Sequence, residues 1–302
     1  MDFSWDGDSY MDNDEPVQLA SETELALAVE ENLYALFRAM AQLPGGAIVE
    51  SPENSYHLAF PYNPMYKGAW QTRLEDEDAD AEIDRTLAWF RERKAPFMFW
   101  WTGPGTTPRD LGERLMARGL LSMEAQMEQM APGIHSTELG APCMVADLLQ
   151  MNEEVLDGTP AGFAIETVED EAGLLEFKRV LVEGYEIPEA MAHGWVESSL
   201  AFGLGRLPWR IYLGRLDGEA VASNILFNGG GVAGVYGVAT VPAARHKGIG
   251  AAITLKPLLD ARDMGYRYGV LFSSDMGVRV YERIGFRLTS ARINRFLWRS
   301  EG

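Results

Sequence analysis

The chain has 302 residues, a length that suggests about two domains at roughly 150 residues each. Apolar residues make up 47% of it, ample for buried cores, and no apolar run approaches the ~18 residues of a membrane span. A net charge of −19 argues against a DNA- or RNA-binding protein, and a lone cysteine, Cys143, excludes an internal disulfide or a thiolate metal cluster. The stretch from Asp2 to Glu31 is acidic and lacks the basic-then-apolar order of a signal peptide. A cytoplasmic protein, bound to neither membrane nor nucleic acid, is expected.

Residues 1–20 read as an acidic mobile tail. Apolar residues at Leu25, Val29, Leu33, Leu36, Phe37 and Met40, stopped by Gly45-Gly46, predict a helix over Glu22 to Leu43. Short strands follow at Ala47–Glu50 and Tyr56–Phe60, then an irregular stretch from Pro61 to Trp70. A helix is predicted near Ala79–Lys94, a buried strand at Pro96–Trp101, a helix from Arg109 to Arg118 ended by Gly119, and a strand at Met123–Met130. The aromatic run Phe97, Phe99, Trp100, Trp101 reads as that buried strand more readily than as a pocket lining. Prolines and glycines mark a connector over residues 131–160.

The second half opens with a strand at Ala164–Thr167 and helices at Asp170–Glu183 and Pro188–Ala201. Strands are predicted at Trp209–Leu216, Val221–Asn228 and Val232–Thr240, with Asp217-Gly218 as a hairpin signal. A helix over Gly250–Met264, a strand at Tyr268–Ser273, a helix at Gly277–Ile284 closed by Gly285, and a strand at Arg292–Trp298 complete it. Strands alternating with helices after an antiparallel start indicate an α/β fold with a mixed sheet.

The stretch from Val238 to Ala252 is the most informative. A β-rich run meets Pro242, then the basic turn Arg245-His246-Lys247-Gly248-Ile249-Gly250, then a helix. Such a turn aims several backbone N–H groups at one point, and the helix N-terminus adds its positive dipole end. Gly248 and Gly250 leave no Cβ in the way of an anion. The charge distribution agrees: residues 201–302 hold 14 Lys and Arg against 7 Asp and Glu, while residues 1–200 hold 12 against 38. A basic half beside a strongly acidic one suits an anionic small molecule better than a polynucleotide.

On these residues the C-terminal half resembles the GCN5-related N-acetyltransferase (GNAT) superfamily. The cofactor signature, Arg/Gln-x-x-Gly-x-Gly/Ala, is matched by Arg245, Gly248 and Gly250. A second signature, Tyr-x-x-x-Gly-Phe, is matched by Tyr281, Gly285 and Phe286. The resemblance implies a cytoplasmic acetyltransferase that uses acetyl-CoA and no metal, as a monomer or homodimer, with a small-molecule or peptide amine as acceptor. It implies that main-chain groups of Val238, Ala239 and Thr240 pair with the pantetheine arm. Amides from His246 through Lys247, Gly248, Ile249, Gly250 and Ala251 would hold the pyrophosphate. Tyr281 would protonate the departing thiolate. Ser274 stands where the family often has asparagine. The carboxylate that many members carry on the fifth strand is missing from Tyr268–Phe272, so the base is open among water, Glu183, Tyr185, Glu186 and Tyr236. A non-catalytic acyl-CoA sensor is the competing class.

The N-terminal half repeats the order of helix, strands, helix, strand, helix and strand. Its helix end Leu115-Met116-Ala117-Arg118-Gly119-Leu120 parallels Tyr281-Glu282-Arg283-Ile284-Gly285-Phe286 with leucine for tyrosine, and no basic Gly-x-Gly turn occurs. It therefore looks like a degenerate GNAT-like domain, with an unrelated α/β cap as the alternative. The expected division is a tail at 1–20, this domain at 21–131, a connector at 132–160 and a catalytic domain at 161–302. Four scattered histidines (His57, His135, His193, His246) suggest no metal site.

Overall fold

In the computed structural model, which describes residues 15–18, 20–58, 67–123 and 140–300, the first element is helix α1 (Glu22–Ala41). Ser21 caps it reciprocally: its hydroxyl accepts from the Glu24 amide at 3.3 Å, and the Glu24 carboxylate accepts from the Ser21 amide at 2.7 Å. Burial runs around most of this helix, from Leu25 and Val29 to Leu36, Phe37 and Met40. A helix apolar on several sides belongs inside a core.

The N-terminal half continues with β1 (Ala47–Glu50), β2 (Ser55–Leu58), β3 (Gly68–Trp70), α2 (Ala79–Glu92), β4 (Phe97–Thr102), α3 (Leu111–Ala117) and β5 (Leu121–Ser122). The C-terminal half holds β6 (Ala141–Asp147), β7 (Phe163–Thr167), α4 (Glu171–Tyr185), α5 (Glu189–Phe202), β8 (Trp209–Leu216) and β9 (Glu219–Gly229). It ends with β10 (Val232–Thr240), α6 (Ile249–Asp263), β11 (Tyr268–Phe272), α7 (Asp275–Ile284) and β12 (Arg287–Arg299). The strands form one mixed sheet in the order β1-β2-β3-β4-β12-β6-β11-β10-β9-β8-β7, with β5 also on β12.

The two halves share a strand. Strand β6, which precedes the rest of the C-terminal half, sits between β11 and β12, pairing Val270 with Val145 and Arg287 with Val145 from opposite sides. The first part of β12 stays on β6, and its last six residues, Asn294 to Arg299, lie on β4, with Phe296 and Leu297 also paired to β5. The last strand of the C-terminal half thus completes the N-terminal sheet. Thermal unfolding is expected in one transition, since β12 runs through both parts of the sheet; two separated calorimetric peaks would contradict this.

Several sequence expectations change here. The connector of 131–160 contains strand β6, because Cys143, Met144, Val145 and Ala146 are all buried, and that core burial outweighs the loop signal of Gly140 and Pro142. The irregular stretch ends in β3, a short strand parallel to β4. The last strand begins at Arg287 rather than Arg292. Residue Val17, placed in the mobile tail, donates its amide to the Gly231 carbonyl at 3.0 Å. Most of the expected strand Met123–Met130, and residues 59–66, lie outside the described residues. The aromatic run is the buried strand β4, with Trp100 and Trp101 in the core.

Helix α1 is shared by the halves. Toward the N-terminal sheet, Tyr34 and Phe37 pack on Trp70 and Trp101, with ring centroids 5.3 Å apart in each pair. Toward the C-terminal sheet it lies on the face to which Gly229 of β9 turns, where a Cβ would come within 3.0 Å of the Ala35 Cβ. Residue Asn224, on the other face of β9, donates to the Ile253 carbonyl of α6 at 2.9 Å. Helices α1 and α6 therefore sandwich the C-terminal sheet.

Candidate active site

Strands β10 and β11 run parallel but pair only at Ala233 with Gly269 and Gly234 with Val270. Beyond that point β11 continues on β6 alone. Strand β10 slips its register against β9 between Tyr236 and Ala239, where Gly237 adopts φ 57°. A bulge of this kind bends one strand away from its neighbour. The edge of β10 that carries Val238, Ala239 and Thr240 consequently has no ladder partner toward β11 among the described residues. A V-shaped opening lies between the two strands.

At the head of that opening the chain turns through Pro242–Ala244, takes left-handed conformations at His246 (φ 61°) and Gly248 (φ 78°), and enters the 15-residue helix α6. The amides of His246, Lys247, Gly248, Ile249 and Gly250 donate to no main-chain carbonyl among the described residues, whereas that of Ala251 is taken by the Gly248 carbonyl at 3.1 Å. Five free donors at a helix N-terminus form a cradle for a phosphate-type anion. A Cβ at Gly248 would sit 3.0 Å from the Gly158 carbonyl oxygen, so both the conformation and the space call for glycine.

The basic side chains of the turn have main-chain partners of their own. The Arg245 guanidinium donates to the carbonyls of Gly184 at 2.8 Å and Thr240 at 3.2 Å, tying the end of α4 to the end of β10. The Lys247 ammonium donates to the Ala243 carbonyl at 3.0 Å. Both hold the turn in shape and leave the amides to face outward.

Tyr281 extends from α7 back over the helix's first turn. Its ring edge lies 2.9 Å from the place a Gly277 Cβ would occupy, a place also 2.6 Å from Ser273 Oγ and 3.5 Å from Ser274 Oγ. The tyrosine packs edge-on against Phe286, and no protein group among the described residues accepts from its hydroxyl. The ring keeps part of its surface exposed, yet the surrounding protein desolvates the phenol and pushes its pKa up to about 12. Such a group stays protonated across the physiological range. Ser274 forms the exposed N-cap of α7 beside it.

Among the base candidates, Glu183 is bonded to Arg179 at 3.1 Å. Tyr236 is buried and donates to Asn32 Oδ1 at 2.6 Å. Glu186 caps α4 in a left-handed conformation, its carboxylate 4.0 Å from the Arg245 guanidinium, and Tyr185 is exposed next to it. Glu186 thus lies beside the Arg245 side chain, while Glu183 and Tyr236 are engaged by Arg179 and Asn32.

Asn32 is a residue that sequence reading missed. Fully buried on α1, it donates through Nδ2 to the carbonyls of Phe227, Gly229 and Val232 at 3.2, 2.8 and 3.2 Å while accepting from Tyr236. One side chain of the N-terminal half thus grips the β9–β10 hairpin that leads into the opening. A lone polar residue on an otherwise apolar helix face was the available signal.

The N-terminal half repeats the geometry in blocked form. The parallel pair Gly68–Phe99 and Ala69–Trp100 matches the β10–β11 pair. Beyond it, Thr107 inserts as an added strand residue: its amide donates to the Thr72 carbonyl and its carbonyl accepts from the Leu74 amide, both at 3.1 Å. The chain's own loop therefore fills the second opening. Where the C-terminal half has its basic turn, this half has Glu75, Asp76, Glu77 and Asp78 ahead of α2, which would repel a phosphate. That acidic run is partly engaged by α3, whose Arg114 pairs with Asp76, while Arg118 at the end of α3 reaches Asp84 at 2.7 Å and Asp80 at 3.1 Å on α2.

No helix among the described residues is long and apolar enough to cross a membrane, and no group of metal-ligating side chains occurs among them. No family model matches the sequence, and no curated protein matches it. Solved structures do. A GCN5-related N-acetyltransferase from Kribbella flavida is similar at 17% identity, with a TM-score of 0.64, over 91% of this chain and 96% of that one. One from Sphaerobacter thermophilus is similar at 14% identity and a TM-score of 0.54 over 94% of each chain. A tandem GNAT protein from the clavulanic acid biosynthesis pathway is similar at 10% identity and a TM-score of 0.53, over 92% of this chain and 94% of that one. The chain has the GCN5-related N-acetyltransferase fold in its C-terminal half, preceded by a degenerate half of the same type.

Proposed function

We propose that the chain is an acyl-CoA-dependent N-acyltransferase that moves acetyl from acetyl-CoA to an amine of a small molecule or peptide, by direct attack in a ternary complex. The observation that carries this reading is the conjunction of five free amides, an unpaired β10 edge and an unpartnered Tyr281 hydroxyl around one opening. Acetyl-CoA supplies the activated thioester. The amides of His246 to Gly250 bind its pyrophosphate, and the free edge at Val238, Ala239 and Thr240 aligns the pantetheine arm as an added strand. A β10 amide polarises the thioester carbonyl. The acceptor nitrogen bonds to the carbonyl carbon as the C–S bond breaks, and Tyr281 Oη gives its proton to the sulfur. The acceptor's own proton leaves through water or through Glu186.

The N-terminal half binds no second acyl-CoA in this reading; it holds the β9–β10 hairpin through Asn32. Free thiol should appear from acetyl-CoA only when an accepted amine is added. Saturable CoA binding with no thiol release across a broad amine panel would favour the sensor alternative, which the missing carboxylate on β11 motivates.

A further inference from the structure

The bulge that opens β10 has a support of its own on the neighbouring strand. Between the paired residues Tyr236 and Ile225 and the paired residues Ala239 and Ser223, Gly237 and Val238 of β10 stand opposite the single residue Asn224 of β9. A bulge takes peptide groups out of the regular ladder, and each then needs another partner. For the Gly237 carbonyl that partner is the Ser223 hydroxyl, which donates to it at 3.0 Å. Ser223 is fully buried, so the bond is made away from competing water.

The surroundings leave this task to Ser223. A Cβ on Gly237 would come within 3.2 Å of Ile225 and 3.6 Å of Leu181 on α4, so the bulge is packed on that face. Asn224 turns to the opposite face, where its amide donates to the Ile253 carbonyl of α6 at 2.9 Å. One turn further along that helix stands Pro257, which has no N–H to offer Ile253. Asn224 is therefore committed to α6.

The consequence lies in the peptide group between Gly237 and Val238. A trans peptide is planar, and its N–H points opposite to its C=O. With the Gly237 oxygen held toward β9, the Val238 N–H turns to the side on which β11 has diverged, the side of the opening. A hydrogen bond accepted by a peptide carbonyl also polarises that peptide and strengthens its N–H as a donor.

We propose, on the acyl-transfer reading given above, that Ser223 is a positioning residue: through the Gly237 carbonyl it aims the Val238 amide at the thioester oxygen. The test compares Ser223→Ala, which deletes the donor, with Ser223→Cys, which keeps a weak one. Ser51→Ala serves as control, deleting a hydroxyl bond to the Asn54 carbonyl at 3.1 Å in the N-terminal half. Losing a whole oxyanion donor costs about 100-fold or more in kcat. Here the donor is misaimed rather than removed, so Ser223→Ala should lower kcat about tenfold, Ser223→Cys less, and Ser51→Ala not at all. Acetyl-CoA affinity should stay within about twofold throughout, and the Val238 amide resonance should move in Ser223→Ala. A Ser223→Ala kcat within about twofold of wild type, or a fall in kcat matched by an equal loss of acetyl-CoA affinity, would overturn the proposal. A wild-type chain that releases no thiol with any amine marks failure of the acyl-transfer reading itself. The resonance then decides the anchor, and a Val238 amide unmoved by Ser223→Ala overturns it.

Discussion

Tyr281→Phe is expected to lower kcat by about 100-fold or more while leaving the affinity for CoA within about twofold of wild type. The phenylalanine keeps the packing on Phe286 and over Gly277 and removes only the proton donor. Binding rests on the cradle and the β10 edge, neither of which Tyr281 builds. The pH dependence follows from the same burial. With its pKa pushed up to about 12, the wild-type phenol keeps its acid form throughout the neutral range, so kcat should show no alkaline loss until the pH nears that value. A fall in kcat with an apparent pKa in the ordinary tyrosine range would contradict the raised pKa, and a Tyr281→Phe variant of near wild-type rate would remove the general-acid role.

The second large effect is expected far from the opening. Asn32→Leu should destabilise the protein by about 3 kcal/mol or more, since a buried amide serving three main-chain carbonyls is lost and each such loss costs roughly 1–3 kcal/mol. The substitution takes from the carbonyls of Phe227, Gly229 and Val232 the side-chain amide that joins them. Gly234→Ala should be damaging for the same reason, because a Cβ there would fall 1.9 Å from Asn32 Oδ1. Denaturant midpoints measure both. A loss below about 1 kcal/mol for Asn32→Leu would show that the hairpin has other partners able to take over. Tyr236→Phe, which removes one of the four bonds, should cost less than Asn32→Leu.

Local sequence carried the C-terminal half well. The turn at Arg245 to Gly250 and the helix end at Tyr281 to Phe286 each depend on neighbouring residues, and alternating strands and helices set the order between them. Pairing across the halves left no such trace. Strand β6 is flanked by Gly140 and contains Pro142, which read as a loop until Cys143 to Ala146 are seen buried between two other strands. The first turn of β12, Arg287-Leu288-Thr289-Ser290, shows no clean alternation. Its ladder partner, more than 140 residues upstream, decides it.

The site followed the same division. Glycine positions and the Tyr281 helix end were legible, because backbone conformation and helix termination have short-range signatures. The tasks of Arg245 and Lys247 were not, since charge beside a glycine turn says nothing about which carbonyls lie within reach. The blocked opening of the N-terminal half was half visible. A missing Gly-x-Gly turn can be read from sequence, whereas the insertion of Thr107 beside Thr72 and Leu74 needs the loop's path.

The central claim is that one opening, in the C-terminal half only, receives acyl-CoA. Equilibrium titration with acetyl-CoA tests it on wild type, Gly248→Val in the cradle and Asp78→Ala at the matching turn of the other half. The valine would need φ near 78° with its Cβ 3.0 Å from the Gly158 carbonyl. One equivalent bound per chain is predicted, lost in Gly248→Val and retained in Asp78→Ala; two equivalents, or unchanged affinity in Gly248→Val, would contradict the account.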